Sequence, residues 1–427
     1  MKKKLFLLEL NELNFNLIQK YIDKGYLKNF KKLFDKYGFS RTSSESIYEN
    51  IEPWIQWVTV HTGKDYDEHK MYHLNDYINL KHNQIWENLE KKGLSVAALF
   101  PMNAKNRIKY DNNIFIPDPW SNEKITVKNK NLANLHNIIS FFVNNNTSKK
   151  ANLKKLINLL IVFLLNSSVK YYHKYFFLIL KSLFKKWNRV LFLDLLIFDV
   201  SSKILNLNKY NFTSVFFNGA AHIQHHYLMN SKIIQKKNTN PSWYLNTRDD
   251  PLLDIYILYD FFIKHIFKIS QKNDYRLLIV TGLTQDPVHE PVFYYRLQNP
   301  KDFISNFNFL NFKVTSLMSR DFRVKFENNS DSHKFINIFQ KLKIKEVPIF
   351  DIKKNDNDLF VTLSYPYEIK KNDEIKFENI KINLYNNINF VAIKNGLHNG
   401  NGYYLDTHKK STNRPLKELF NDIETYF

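Results

Sequence analysis

The chain contains no cysteine among its 427 residues, which excludes disulfides, thiolate metal sites and a cysteine nucleophile. Any bound metal must therefore be held by oxygen and imidazole ligands. The longest apolar run, at residues 156–165, is about half of the roughly 20 residues that a membrane span needs. Residues 1–4 are basic like the start of a signal peptide, but Glu9, Asn11 and Glu12 interrupt the apolar run that follows. We therefore expect a cytoplasmic protein without a transmembrane helix.

Positive charge is in clear excess. The 62 Lys and Arg against 41 Asp and Glu give a net charge of +21. Lys, Asn, Ile, Phe and Tyr are abundant together, as AT-rich coding would produce, so part of the charge reflects genome composition. The remainder predicts attraction to anionic partners, which are phosphate esters, anionic lipid headgroups or nucleic acid. No helix-turn-helix, zinc-finger or RNP motif is present, so we do not favour nucleic acid.

Alternation of apolar strands and amphipathic helices predicts an α/β fold with a mostly parallel central sheet flanked by helices. Buried strands are expected at residues 5–10, 95–100, 212–217 and 276–281, and helices at residues 16–37, 53–61 and 85–92. The alternation is interrupted twice, by a helical insertion and by a small α+β cap. The predicted division is a first part of the core at 1–130, the helical insertion at 131–207, a second part of the core at 208–300, the cap at 301–390, and a last core strand with a C-terminal helix at 391–427.

The predicted insertion is rich in aromatic residues, Leu, Ile and Lys. Such helices are consistent with a subdomain that packs on the sheet. They are also consistent with a basic, aromatic face that docks on an anionic membrane, which would make this a peripheral protein at the inner membrane. Both interpretations stay open at this stage.

Polar side chains follow several of the predicted strands. Ligands of open α/β sheets bind at the carboxyl ends of the strands, so these side chains are expected to converge there on a divalent cation, which we take to be Zn, Mn, Ca or Mg. The candidate ligands are Glu9, Asn11, Asn218, His222, His225, Gln285, Asp286 and His398. His222 and His225 are spaced to share one face of a helix, and His398 stands in a glycine-rich stretch that we predict to be a loop. Gln285 and Asp286 could instead belong to a simple turn.

Five segments carry a family resemblance. They are LELNELNFNLIQKYIDKGYLKNFKKLFDKYG from residue 8, WVTVHTGKDYDEHKMY from residue 57, IWENLEKKGLSVAALFPMN from residue 85, AAHIQHHY from residue 220 and GLHNGNGYYL from residue 396. In this order they resemble the alkaline phosphatase superfamily, in particular its type I phosphodiesterase and nucleotide pyrophosphatase branch and the relatives found with bacterial surface-polysaccharide genes. The resemblance implies an alkaline phosphatase-like fold. It also implies a metal-dependent hydrolase or transferase that acts on a small anionic substrate, either a phosphate ester or phosphodiester or an activated glycan precursor for polysaccharide biosynthesis.

The chain departs from the family pattern at three places. The family's first metal-binding Asp aligns with Asn11, and its nucleophilic Ser or Thr aligns with Glu52, just before Pro53. Its Asp-His-Gly after the late strand aligns with residues 281–286, which contain no histidine. At a helix N-terminus beside a cation, Glu52 would ligate the metal or act as general base for a water molecule, so we take it as the candidate catalytic residue. The alternatives are a degenerate relative that binds a glycan or lipid-linked intermediate without turnover, and a basic nucleic-acid-binding protein.

Overall fold

The computed structural model describes residues 3–144, 153–234, 239–317, 320–355 and 358–427. Its strands are β1 (Leu5–Leu10), β2 (Ser40–Ser43), β3 (Val96–Leu99), β4 (Ile114–Ile116), β5 (Phe212–Phe217), β6 (Arg276–Val280), β7 (Thr284–Leu297), β8 (Phe312–Ser316), β9 (Asp321–Phe326), β10 (Lys343–Ile344), β11 (Val347–Pro348), β12 (Phe350–Asn355), β13 (Asp358–Leu363), β14 (Glu374–Phe377), β15 (Ile380–Asn383), β16 (Ile388–Asn399), β17 (Asn401–Asp406) and β18 (Arg414–Pro415).

The helices are α1 (Phe15–Asp23), α2 (Lys28–Tyr37), α3 (Pro53–Thr62), α4 (Tyr66–His69), α5 (Ile85–Lys91), α6 (Lys130–Asn144), α7 (Leu153–Asn166), α8 (Tyr172–Phe184), α9 (Asn188–Asn206), α10 (Gly219–Tyr227), α11 (Pro251–Lys272), α12 (Pro300–Ser305), α13 (Asn329–Phe339) and α14 (Glu418–Tyr426). The described residues contain no helix that is long and apolar enough to cross a membrane.

An eight-stranded sheet in the order β18-β2-β17-β6-β1-β5-β3-β4 forms the centre of the molecule. The five strands from β6 to β4 run parallel, and β17 pairs antiparallel with β6. All six residues of β1 are buried, as its nearly continuous apolar sequence predicts for a parallel strand covered on both faces. The predicted α/β class with a mostly parallel sheet is confirmed. Because β1 lies between β5 and β6, its carboxyl end is at the middle of the sheet.

Two local predictions were wrong. Residues 16–37 form two helices rather than one, because Gly25 (φ +86°) and Leu27 (φ +54°) adopt left-handed backbone conformations that an α-helix does not admit. His398 lies in strand β16 rather than in a loop. β16 pairs antiparallel with β7 along a ribbon in which His398 is directly opposite Gln285.

The described part of the predicted insertion at 131–207 consists of the helices α6 to α9 and short connections between them, and residues 145–152 lie outside the described residues. Helix α9 belongs to the main core, where Leu195 and Phe198 are fully buried. The predicted cap at 301–390 contributes to a second, separate hydrophobic cluster, which also includes side chains of β7 and β16. The exact domain boundaries stay a prediction.

Candidate metal centre

The candidate site lies where β1 ends. The backbone N–H of Asn11 donates to the carbonyl of Phe217 at the end of β5, and that of Glu12 donates to the carbonyl of Thr281 beyond β6, both at 3.0 Å. Glu12 has a left-handed backbone (φ +57°), which is uncommon for a residue other than glycine and is found at functional sites where the surrounding structure holds it. The chain therefore turns sharply after β1 at the carboxyl edge of the sheet.

Three side chains from distant parts of the chain meet at this turn. Glu12 Oε2 lies 3.4 Å from His225 Nε2 and 3.6 Å from His398 Nε2. The two Nε2 atoms are 3.2 Å apart. Glu12 follows β1, His225 lies on α10 and His398 lies on β16. The three ligand atoms lie within 4.8 Å of one another, so we call Glu12, His225 and His398 the triad.

The donor set of the triad fits a divalent transition metal. One carboxylate and two imidazole nitrogens facing a common point are the ligands that zinc, manganese and related ions accept. Three protein ligands with a further position open to solvent are typical of catalytic rather than structural zinc sites. Glu12 is buried, whereas His225 and His398 are partly exposed, so the triad is reachable from one side. Among the residues that the structure describes, this is the one such group of three.

Electrostatic coupling within the triad is strong. Burial alone would raise the pKa of Glu12, but the charges of His398 and His225, with hydrogen bonds from His225 and Gln285, lower it to about 2. Burial would lower the pKa of His398, but Glu12 and Glu52 outweigh that effect and raise it. The carboxylate is thus held ionised, which is the form that binds a cation.

Glu52 contacts the triad through His398. It precedes α3 with an extended backbone, and its side chain makes no capping hydrogen bond with that helix. Its Oε2 atom instead lies 3.2 Å from His398 Nδ1, while Nε2 of the same ring faces Glu12. A carboxylate that holds the second nitrogen of a ligand histidine fixes the tautomer and the orientation of the ring. A purely capping role for Glu52 is therefore not what the structure shows.

Asn11 and Asn218 surround the triad without joining it. The Asn11 Nδ2 group donates to Asn218 Oδ1 at 2.7 Å and to Glu12 Oε1 at 3.2 Å. The Asn11 Oδ1 atom accepts a hydrogen bond of 2.7 Å from Trp57 Nε1. Both carboxamide oxygens are therefore occupied by protein donors. Asn11 therefore helps to orient Glu12 directly, and Asn218 contacts Asn11.

Glu9 lies deeper and has a different partner. Its carboxylate oxygens are 3.2 and 3.3 Å from His61 Nε2, and both side chains are fully buried. Trp86 packs on the imidazole with ring centroids 4.9 Å apart. The structure thus places His61 in the core beside Glu9. This pair is separate from the triad.

Of the other predicted ligands, Gln285 contacts the triad, whereas Asp286 and His222 have other surroundings. Gln285 Nε2 donates to Glu12 Oε2 and, at 3.1 Å, to the carbonyl of Ala221, so it orients the carboxylate. Asp286 is exposed and accepts from Asn399 at 2.6 Å. His222 is exposed and lines a different cavity of about 430 Å³. His225 faces the triad and His222 does not, although the spacing predicts a common helix face for them.

Glu12 is the candidate ligand that the sequence analysis did not select. It was visible as one of the polar residues that interrupt the apolar start, but the family alignment drew attention to Asn11 instead. The signal that could have found it is the carboxylate itself, since an anionic ligand binds a hard cation more strongly than an amide does.

The chain was also compared with known proteins. No family model and no curated protein matches it. Similar solved structures are phosphonoacetate hydrolase from Sinorhizobium meliloti (10% identity, TM-score 0.47, 100% of this chain and 96% of that chain) and murine ectonucleotide pyrophosphatase/phosphodiesterase 5 (9%, 0.45, 99% and 94%). A variant of TAB5 alkaline phosphatase is similar as well (8%, 0.40, 100% and 97%). These three proteins belong to the alkaline phosphatase superfamily, the family that the sequence motifs resemble.

Proposed function

We propose that this protein is a metal-dependent hydrolase of a phosphate ester or phosphodiester. The observation that carries the proposal is the triad, in which a buried carboxylate and two imidazoles converge at the carboxyl edge of the sheet. A divalent cation bound there would polarise phosphoryl oxygens and lower the pKa of a bound water. The chain contributes the ligands, their orientation and the groups that handle protons.

Each side chain around the triad has a definite task in this proposal. Gln285 and Asn11 donate hydrogen bonds to the two oxygens of Glu12 and keep its carboxylate directed at the histidines. Glu52 holds the proton of His398 on Nδ1, so that Nε2 keeps its lone pair. The Glu52 side chain is 32% exposed, which lets it also accept a proton from an entering water molecule as a general base.

Two cationic residues support an anionic substrate. Lys394 lies on β16, four residues before His398, and its pKa is lowered by burial and by the charge of Arg320, whereas Glu52 raises it. Lys394 is thus close enough to both Glu52 and Arg320 to interact with each of them electrostatically. Positive charge beside the triad would attract and orient a phosphate group.

We extend the proposal to substrate and location. An activated glycan precursor is the substrate that the sequence resemblance suggests, and a cytoplasmic site facing the inner membrane would give access to it. A second candidate is a relative that binds such a ligand without turnover. It is favoured by one observation, which is that Glu52 stands where the family has a hydroxyl nucleophile.

Elemental analysis together with an assay on an aryl phosphodiester tests the proposal. We expect the purified protein to retain or rebind zinc, manganese, calcium or magnesium in stoichiometric amount, and to release the phenolate. His398→Ala should lose both properties, whereas His222→Ala, on an exposed histidine outside the triad, should keep both. Metal binding without hydrolysis would favour the non-catalytic candidate, and absence of both would refute the metal centre itself.

A further inference from the structure

Helices α7 and α8 each present apolar side chains to solvent in a regular row. On α7 the spacing is i, i+3, i+4, i+7 and i+8, and the exposed residues are Ile157, Leu160, Ile161, Leu164 and Leu165. These positions form one stripe along a helix. The opposite side of α7 packs against the protein through Val162, which is buried. The exposed apolar stripe is therefore not needed to pack α7 against the rest of the protein.

Helix α8 repeats the arrangement after a short connection. Its exposed residues are Phe176, Phe177, Ile179, Leu180, Leu183 and Phe184, whereas Tyr175 and Leu178 are buried. Phe184 is 88% exposed, and Val169 in the connection between the helices is exposed as well. We call these exposed residues of α7, the connection and α8 the α7–α8 face. Exposed apolar side chains grouped on neighbouring helices in this number mark an interaction site rather than ordinary surface.

The charge around the α7–α8 face indicates what covers it. Between Lys124 and Leu193 the sequence contains thirteen Lys and Arg and no Asp or Glu. Among them, Lys170 is exposed and Lys181 extends over the ring of Phe177, with its ammonium 4.2 Å from the ring centroid. Such lysines cover apolar surface with their stems and keep the charge at its edge.

We propose that the α7–α8 face docks on an anionic lipid bilayer. Apolar side chains enter the boundary between headgroups and acyl chains, and the surrounding lysines contact the anionic headgroups. A second copy of the chain fits this face less well, because its own excess of positive charge would be brought against an identical excess. A bilayer with anionic headgroups supplies both the apolar layer and the opposite charge. The docking is independent of the hydrolase proposal, since it involves none of the triad residues.

Co-sedimentation of the full-length protein with vesicles tests this docking. We expect sedimentation with phosphatidylcholine vesicles that contain phosphatidylglycerol, little with phosphatidylcholine alone, and weaker binding as salt is raised. The double variant Leu183→Asp/Phe184→Asp should lower the bound fraction by about tenfold or more, because two apolar anchors are replaced by charges that anionic lipids repel. Lys170→Gln should weaken binding to the anionic vesicles and leave the melting temperature unchanged.

Leu310→Asp is the matched control, because Leu310 is 89% exposed but lies in the cap, away from this face. It should bind as the unaltered chain does. His398→Ala should also bind normally, so that failure of the metal centre and failure of docking are distinguishable. The proposal is overturned if anionic vesicles are not bound at low salt, or if Leu310→Asp reduces binding as much as the double variant does. It is overturned as well if the unaltered chain is a dimer that the double variant converts to a monomer.

Discussion

Replacing His225 by alanine removes one of the three donor atoms of the triad, and His222 on the same helix offers a matched comparison. Both histidines lie on α10 and differ by three positions, but only His225 faces Glu12 and His398. Loss of one of three ligands should weaken metal binding by about 100-fold, or roughly 2.7 kcal/mol, since each tenfold change in affinity corresponds to about 1.4 kcal/mol. His222→Ala should change the affinity little.

The effect of metal binding on the free energy of unfolding follows from the dissociation constant and the metal concentration. A metal present at about 100 times its dissociation constant stabilises the folded protein by about 2.7 kcal/mol. At the same concentration, a variant that binds about 100-fold more weakly gains only about 0.4 kcal/mol. Thermal unfolding with and without Zn²⁺ or Mn²⁺ measures this gain, and calorimetric titration measures the dissociation constant.

The comparison must be made within each variant, because His225 also pairs with Glu12 in the metal-free protein. The reasoning is refuted if the metal-induced rise in melting temperature survives in His225→Ala. It is also refuted if His222→Ala loses that rise to the same extent.

Three further perturbations test the surroundings of the triad. Glu52→Gln retains an acceptor for the Nδ1 proton of His398 but lacks the negative charge, so metal binding should weaken about tenfold. Hydrolysis at saturating metal should also slow, and an unchanged rate would exclude Glu52 as the general base. The interactions that lower the pKa of Glu12 from 4.5 to about 2 exist only in the folded protein. They therefore stabilise the folded state above pH 4.5, and this stabilisation is lost as the pH falls toward 2. Denaturant unfolding of the metal-free protein should show a loss of up to about 3 kcal/mol over that range, and a flat profile would contradict it. Burial raises the pKa of Asp194 from 3.8 to about 7 despite hydrogen bonds from Tyr259 and the backbone of Gly219. The free energy of unfolding should therefore fall by at most about 4 kcal/mol as the pH rises through that range. Asp194→Asn should remove this pH dependence, and a variant with the same pH dependence as the unaltered chain would show that Asp194 is not its source.

Local patterns were enough to predict much of the core. The strands at β1 and β5 lie where continuous apolar sequence predicts them, and α3 begins at Pro53, a residue suited to the first position of a helix. The two-helix arrangement of α1 and α2 could have been anticipated, because Gly25 stands inside the single helix that was expected. The spacing of apolar residues is a property of a short segment, so the positions of these strands and helices can be predicted from the sequence.

The pairing that completes the site is not local. His398 and Gln285 are 113 positions apart, and only the ribbon of β7 and β16 brings them opposite one another. No periodicity in either segment specifies that register. The orientation of Glu12 is equally difficult to predict from the sequence, because it depends on a left-handed backbone conformation that a glutamate seldom adopts. Sequence reasoning could therefore name the strand ends that meet, but could not choose among the polar residues at each end.

Two of the departures from the pattern of the family that the sequence resembles lie beside the triad. Asn11 replaces a metal-binding carboxylate, and Glu12 restores that negative charge one position later, held by hydrogen bonds from Asn11 and Gln285. Glu52 adds a second carboxylate, but it contacts His398 Nδ1 rather than the point on which the ligand atoms converge. Two carboxylates beside two neutral imidazoles carry two negative charges, which a divalent cation balances and a proton on His398 balances only in part. The same two carboxylates raise the pKa of His398. The charges of Glu12 and Glu52 beside His225 and His398 are therefore the feature on which the proposed metal centre depends.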